Sequence, residues 1–316
     1  MKTVSVHIVT YNSSGHIDDC LEAVLKQSHS IERIIVIDNA SKDDTLTKLA
    51  KWSEQCTIIQ NKVNNGFAGG HNQAIRMTDT DYCLILNPDV ILEPDYVLNT
   101  VKSLNNHTQA GSATGKLLFK SDPTHIDSTG LVINKARRAF DRGAHQTSDQ
   151  FNHAEEVFGV SGAAAMYARE MINDISLNGE FFDEDFFAYK EDVDVAWRAQ
   201  LLGWKAYYEP SAIAYHERGW KEGLRSSKPL FVRRLSYINR YKMMVKNDQF
   251  SMVLKHIIPL FVYEFLSLGY ALVREPKLLG AWSSFFHSYS DLRQKRNIIR
   301  SKKKVKPSEI NRWFIK

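Results

Sequence analysis

Four short apolar strand signals separated by three helical ones fill residues 4–86, and this alternation constrains the fold more than any other feature of the chain. Val4–Thr10, Arg33–Asp38, Thr57–Gln60 and Tyr82–Leu86 read as strands. The second contains Ile34, Ile35, Val36 and Ile37 in succession, a near-continuous apolar run of the kind found in parallel strands buried on both faces. Between them, Ile17, Leu21, Val24 and Leu25 recur at helical spacing over Ile17–Gln27. Ser41, Asp43 and Asp44 mark the start of a helix to Trp52, and Gly69–Met77 reads as a third. This order predicts an α/β fold with a doubly wound sheet. Such sheets gather ligands at the carboxyl ends of their strands. Three polar clusters fall there: Thr10-Tyr11-Asn12, Asp38-Asn39-Ala40-Ser41 and Asn87-Pro88-Asp89.

With 316 residues, 43% of them hydrophobic, the chain has material for one large α/β domain plus an appendage. Cys20, Cys56 and Cys83 have no paired or metal-ligand spacing, which suits a reducing compartment and argues against a disulfide scaffold or a zinc module. The beginning of the chain reads as a strand, because a lone Lys2 and a run broken by Ser5 and His7 make a poor signal peptide. The formal charge of +5 hides an asymmetry: residues 1–217 carry a net of −11 and residues 218–316 a net of +16. A basic region of this kind is expected to seek phosphates, on nucleic acid, anionic lipid or a phosphorylated substrate.

Individual residues have competing readings. Asp38, at a strand end, can accept from a pyrimidine N3–H or a ribose hydroxyl, or can serve as a turn acid before the next helix. Tyr11 can stack on a base or wall the cleft. The glycine-rich run Asn65-Gly66-Phe67-Ala68-Gly69-Gly70-His71-Asn72 opens a helix, where backbone N–H groups can face a phosphate, or is a plain loop. It is not a dinucleotide fingerprint, since no Gly-x-Gly-x-x-Gly follows the first strand. Asn87-Pro88-Asp89 is either an ordinary turn or a carboxylate site for Mg2+ or Mn2+, which take few protein carboxylates plus substrate phosphates. Glu191-Asp192-Val193-Asp194 precedes a helix, whose dipole favours acids there, and Asp194 and Arg198 form an i,i+4 pair. Crowded carboxylates beside the aromatic run from Phe181 to Tyr189 also raise one another's pKa, which suits a general base. His216, after Ala212-Ile213-Ala214-Tyr215, is a buried histidine or a metal ligand.

The order of these motifs carries more than any one of them. Val-Thr-Tyr-Asn stands at 9–12, Val-Ile-Asp-Asn-Ala-Ser at 36–41 and Asn-Asn-Gly-Phe-Ala-Gly-Gly-His-Asn at 64–72. Leu-Asn-Pro-Asp at 86–89, Gly-Val-Ser-Gly-Ala at 159–163 and Glu-Asp-Val-Asp at 191–194 follow. Over residues 1–220 the chain resembles a family 2 glycosyltransferase of the GT-A fold, in particular its rhamnosyltransferase-like branch. The resemblance implies a Rossmann-like mixed central sheet flanked by helices. It implies a nucleotide-sugar-binding half at 1–110 and an acceptor-binding half at 111–220, followed by a basic helical extension at 221–316. Asp38 would hold the pyrimidine, with Thr10, Tyr11, Asn12 and Asn39 around it and Asn65, Gly66, Gly70 and Asn87 completing the donor site. Asp89 would be the main carboxylate ligand of a divalent metal, the first acid of the family's Asp-x-Asp being Asn87 here, and His216 a further ligand. Asp192 matches the catalytic base, with Glu191 and Asp194 shaping the acceptor pocket or tuning it. The implied reaction is inverting, metal-dependent transfer of a sugar, with rhamnose from dTDP-rhamnose expected first and galactose, glucose or N-acetylglucosamine as alternatives. The acceptor would be a polysaccharide or a polyprenyl-linked glycan of the cell envelope.

Two other classes stay in view: a sugar nucleotidyltransferase, against which the missing early Gly-rich Lys/Arg signature counts, and a catalytically idle membrane scaffold. From about residue 230 long helices are expected. Ile257–Val273 is largely apolar but holds Glu264, and 17 residues are short for a span. Amphipathic helices lying on an anionic membrane surface are the favoured reading, with packing on the catalytic part and a single transmembrane helix as the alternatives. That places the protein on the cytoplasmic face of the cell membrane. No nucleic-acid module accompanies the basic region, so nucleic acid is not an expected partner. Helices in this region can also pair two subunits.

Overall fold

The computed structural model describes residues 2–218 and 228–315. β1 (Val4–Thr10), β2 (Arg33–Asp38), β3 (Thr57–Gln60) and β4 (Tyr82–Leu86) have the expected bounds, with α1 (Ile17–Leu25), α2 (Thr45–Ala50) and α3 (Gly66–Arg76) between them. α2 is shorter than the expected 41–52. Ser41 is drawn back onto Asp38, and Asp43 accepts from Thr45 and from the backbone N–H of Ser14, so both shape a loop instead of a first turn. β5 (Val90–Leu92) and α4 (Tyr96–Asn106) lead into β6 (Ala110–Phe119), β7 (Asp122–Ser128), β8 (Leu131–Asn134), β9 (Ala139–Asp141), β10 (Glu155–Val157) and β11 (Ala164–Ala168). α5 (Arg169–Ile175) and α6 (Glu191–Leu201) precede the long strand β12 (Lys205–His216). The chain then runs through α7 (Leu230–Asn247), α8 (Phe250–Lys255), α9 (Ile257–Arg274), α10 (Trp282–Lys302) and α11 (Pro307–Asn311) to β13 (Phe314–Ile315).

The main sheet has the order β10-β12-β6-β11-β4-β1-β2-β3, with β5 on β12 and β7 on β6. β1 to β4 are parallel, and β11 runs antiparallel to β4. The chain steps outward from β1 to β2 and β3, then returns to the other side of β1 to form β4. That reversal opens a crevice at the carboxyl ends of β1 and β4, where the polar clusters lie.

The C-terminal helices are built into this body. Met243, Met252, Ile299, Ile310 and Phe314 join the same apolar core as Val6, Val36 and Leu84, and β13 adds to β8 in parallel. Part of the region's positive charge is consumed internally, while Lys255, Arg274 and Lys277 stay exposed. Lys246 pairs with Asp183 and Asp194, Lys295 with Asp183, Asp185 and Asp291, and Arg312 with Glu156. The expected boundary at 220/221 lies outside the described residues. All three cysteines are buried and free.

Candidate active site at the strand ends

The ends of β1 and β2 are clasped together by Asp38. Its fully buried carboxylate accepts from the Thr10 hydroxyl at 2.9 Å, the Ser41 N–H at 3.0 Å and the Ser41 hydroxyl at 2.5 Å. The clasp turns both chain ends sharply, and Asn12 and Ala40 sit at φ 52° and 61°, a conformation that non-glycine residues adopt rarely. Asn12 accepts from the Lys42 N–H and its own N–H donates to Ser41. Tyr11 is 49% exposed at the mouth. Asn39, buried, donates to the Gly66 carbonyl and accepts from Asn61.

In the glycine-rich segment the Gly66 N–H donates to the Asn64 side chain and the Ala68 N–H to the Phe187 carbonyl, so these amides are taken within the protein. Gly66 and Gly70 are buried for steric reasons. A Cβ on Gly66, at φ +73°, would lie 2.3 Å from the Phe187 carbonyl oxygen, and one on Gly70 would lie 2.8 Å from Val9. Both glycines allow α3 to press against β1 and the loop before α6. Asn65 is exposed at the head of α3.

Asp89 and His216 meet through strand register. β5 pairs antiparallel with β12, and His216 stands opposite Val90, the residue after Asp89. His216 Nε2 lies 3.4 Å from Asp89 Oδ1, which is buried and has no hydrogen-bond partner. On its other side, His216 Nδ1 is 2.8 Å from Asp127 Oδ2, and Asp127 also pairs with Arg218. Burial alone would lower the imidazole pKa, but Asp127 and Asp89 outweigh it and push it up to about 9. Among the described residues no group of three or more His, Cys, Asp or Glu side chains can hold a metal by itself. The orphaned Asp89 oxygen facing His216, with Asp127 orienting the ring from behind, fits a divalent cation completed by substrate oxygens. Asn87 is partly exposed beside this pair, and its N–H is engaged by the Ala163 carbonyl.

The acids at 191–194 separate into three environments. Asp192 is partly exposed, accepts from the Gly162 N–H at 3.2 Å, and has its pKa raised by burial, with Lys190 opposing. Glu191 is buried, with one oxygen unpartnered, and burial together with Asp192 pushes it up to about 8. Asp194 does not line a pocket, although its charge reaches Glu191. It is fully buried and faces away from solvent, bound by Arg198 at 2.9 Å, Lys246 at 2.9 Å and Asn247 at 2.7 Å. It ties α6 to α7. Asp127, Asp141 and Arg218 went unnoticed in the sequence reading. Arg218 bridges Asp127 to Asp141, and the Asp141 charge disfavours ionisation of Asp192. Asp192 is tied to the Asn87 side of the site by Gly162, whose neighbour Ala163 accepts the Asn87 N–H.

Residues 5–176 match the family model described as glycosyl transferase family 2. The poly-beta-1,6-N-acetyl-D-glucosamine synthase of Staphylococcus aureus is 24% identical over 217 residues, which is 68% of this chain and 50% of that protein, so the chain spans half of that relative's length. A crystal structure of GalNAc-T7 with UDP, GalNAc and Mn2+ superposes with a TM-score of 0.57 at 11% identity, covering 86% of this chain and 58% of that one. S. aureus TarS 1–349 in complex with UDP-GlcNAc gives a TM-score of 0.54 at 16% identity over 95% of this chain and 88% of that one. The shared architecture is the GT-A fold.

Proposed function

The chain belongs to glycosyl transferase family 2, and from that premise we propose that it moves a hexose from a pyrimidine nucleoside diphosphate to a hydroxyl of a lipid-linked or polysaccharide acceptor, with inversion. The observation that carries this reading is the buried Asp89 oxygen, which has no partner beyond His216 at 3.4 Å, beside Asn87, whose N–H is held by Ala163 next to the Gly162 that binds the partly exposed Asp192. Asp89, and His216 once its proton is displaced, would hold a divalent cation, Mn2+ or Mg2+, which would supply positive charge against the departing diphosphate. Tyr11 and Asn12 wall the base pocket. A base N–H reaches Asp38 only when the Ser41 hydroxyl rotates off it. Asp192 takes the proton from the acceptor hydroxyl as that oxygen attacks the anomeric carbon. Glu191 is buried, and burial together with Asp192 holds its carboxyl above the usual range, so the partly exposed Asp192 is the better placed of the two to meet an acceptor.

The motif pattern favours rhamnose from dTDP-rhamnose, while the relatives named above favour a second reading, N-acetylglucosamine from UDP-GlcNAc. Calorimetry with dTDP-rhamnose, UDP-GlcNAc, UDP-galactose and UDP-glucose, each with and without Mn2+, decides. Selective binding that Mn2+ tightens is expected, with the tightest ligand naming the donor. Folded protein that binds none of them would overturn the reading.

The same proposal places the protein on the cytoplasmic face of a membrane. α9 is long and apolar enough to cross a bilayer, but Glu264 at its middle is bound by Tyr241 at 2.6 Å and Arg240 at 2.7 Å of α7. A spanning helix would tear these bonds. On the opposite side Ile258, Phe261, Phe265 and Val273 are each at least 68% exposed, and Lys255, Arg274 and Lys277 flank them. An apolar face edged by cations suits a helix lying in the interface of anionic lipid. In sedimentation with phosphatidylcholine–phosphatidylglycerol vesicles, Phe261→Ser/Phe265→Ser is expected to weaken binding by roughly tenfold or more, since each buried Phe contributes about 1.5–3 kcal/mol. Undiminished binding by that variant would exclude this face.

A further inference from the structure

α7 lies along the segment that leads into the base. Asn239, Lys242 and Lys246 fall on one face at helical spacing and bind that segment in order. The Asn239 amide donates to the Phe186, Ala188 and Tyr189 carbonyls at 2.9, 3.0 and 2.9 Å. Lys242 donates to the Asp185 carbonyl at 2.7 Å, and Lys246 meets the Asp183 carboxylate. These bonds surround an unusual backbone, for Phe187, Tyr189 and Lys190 sit at φ 59°, 71° and 76°. Three non-glycine residues in the left-handed region within four positions persist only when their surroundings hold them there. From the other side, α3 supplies the Ala68 N–H to the Phe187 carbonyl, and Asn72 exchanges two bonds with the Phe182 backbone. The Lys190 carbonyl then accepts the Asp194 N–H, starting α6 with Asp192 in its first turn.

We infer that Asn239 is a positioning residue for the transfer reaction: it holds the Phe186–Lys190 turn in the conformation that aims the Asp192 carboxylate into the crevice, making α7 part of the catalytic apparatus. The inference rests on the reading of Asp192 as the base. Three carbonyls converging on one end of the Asn239 amide identify that end as the nitrogen, whose two protons are shared among them. The other end, Oδ1, is buried without a partner. Asn239 leaves its oxygen orphaned in order to serve the turn, and buried orphan groups of this kind call for an explanation beyond packing.

The test compares the parent chain of residues 1–316 with Asn239→Leu, which removes the donor at similar side-chain shape, and with Asn239→Ser, which keeps a smaller donor and carries the test if the leucine variant does not fold. Hydrogen exchange of residues 183–192 is expected to quicken about tenfold or more, with residues 33–41 unchanged. Release of nucleoside diphosphate in the presence of acceptor is expected to slow at least thirtyfold in kcat for the leucine variant and severalfold for the serine variant. Donor KM, and UDP and dTDP affinity by calorimetry, stay within twofold. Unchanged exchange over 183–192 overturns the inference. So does faster exchange with kcat within threefold of the parent, or a parallel fall of kcat and nucleotide affinity that marks general damage. Failure of the transferase reading would show in the parent protein, whereas failure here shows only in the variants.

Discussion

Asp192→Asn is expected to lower kcat by roughly 10²–10⁴-fold, the range that a positioned general base contributes, while leaving nucleotide affinity within about twofold. The substitution is nearly isosteric and retains an oxygen to accept the Gly162 N–H, so the head of α6 stays in place. The pH dependence supplies the sharper test. The base must be ionised to accept a proton, so activity falls on the acid side as pH drops through its pKa. Burial raises that pKa above the ordinary carboxylate value, and the acidic limb of the parent enzyme should therefore lie above about 3.9. In Asp192→Asn the residual activity should lose this limb. Glu191 also responds: without the neighbouring charge its pKa should fall below about 8, because Asp192 is one of the two main causes holding it up. Retention of the full rate in Asp192→Asn, with the limb intact, would transfer the role to another group.

The sequence was informative where a local pattern is sufficient to determine structure. The four strands have the bounds read from apolar runs; for β1, β2 and β4 the reason is burial on both faces, which tolerates little else, whereas β3 at the sheet edge is only partly buried. Asp89 and His216 were picked out by motif order, yet their juxtaposition depends on the pairing of His216 with Val90 across more than a hundred residues, which no local pattern encodes. Asp127 shows the same limit more severely. It lies in a strand of polar residues, and only the fold reveals its role behind His216. In the glycine-rich segment, backbone N–H groups at a helix start suggest an anion, whereas the partner that requires Gly66 is Phe187, 121 positions away. Asp194 was half legible: its pairing with Arg198 follows from helix spacing, but Lys246 reaches it from a helix that begins 36 residues later. Most internal acidic partners of the basic C-terminal region, such as Asp183 and Asp194 for Lys246 and Glu156 for Arg312, are distant in sequence, so its charge reads as unpaired along the chain.

Those internal partners set the second large expected effect. Lys246→Met should destabilise the protein by about 3 kcal/mol, the lower end of the range for removing one member of a buried ion pair. Lys246 is 1% exposed and binds Asp183 and Asp194 at once, with the Phe186 ring 5.0 Å away. Methionine preserves much of the stem packing, so the loss reports the charge. The lower end of the range applies because neither acid is stranded: Asp183 keeps Lys295, and Asp194 keeps Arg198 and Asn247. Urea denaturation should show a reduced midpoint at unchanged slope. Burial would raise the Asp183 pKa, but Lys246 and Lys295 outweigh it and hold the carboxyl well below its usual range. A depressed native pKa contributes stability that is present above the unfolded value, about 3.9, and is lost as pH falls from there toward the native value. Removing Lys246 raises the native value, so the variant has less to lose on acidification. The gap between parent and variant should therefore be widest near neutrality and narrow below about pH 4. A constant gap across that interval would mean that Lys246 acts through packing alone, and the docking of α7 on the catalytic body would then be an apolar contact rather than an ionic one.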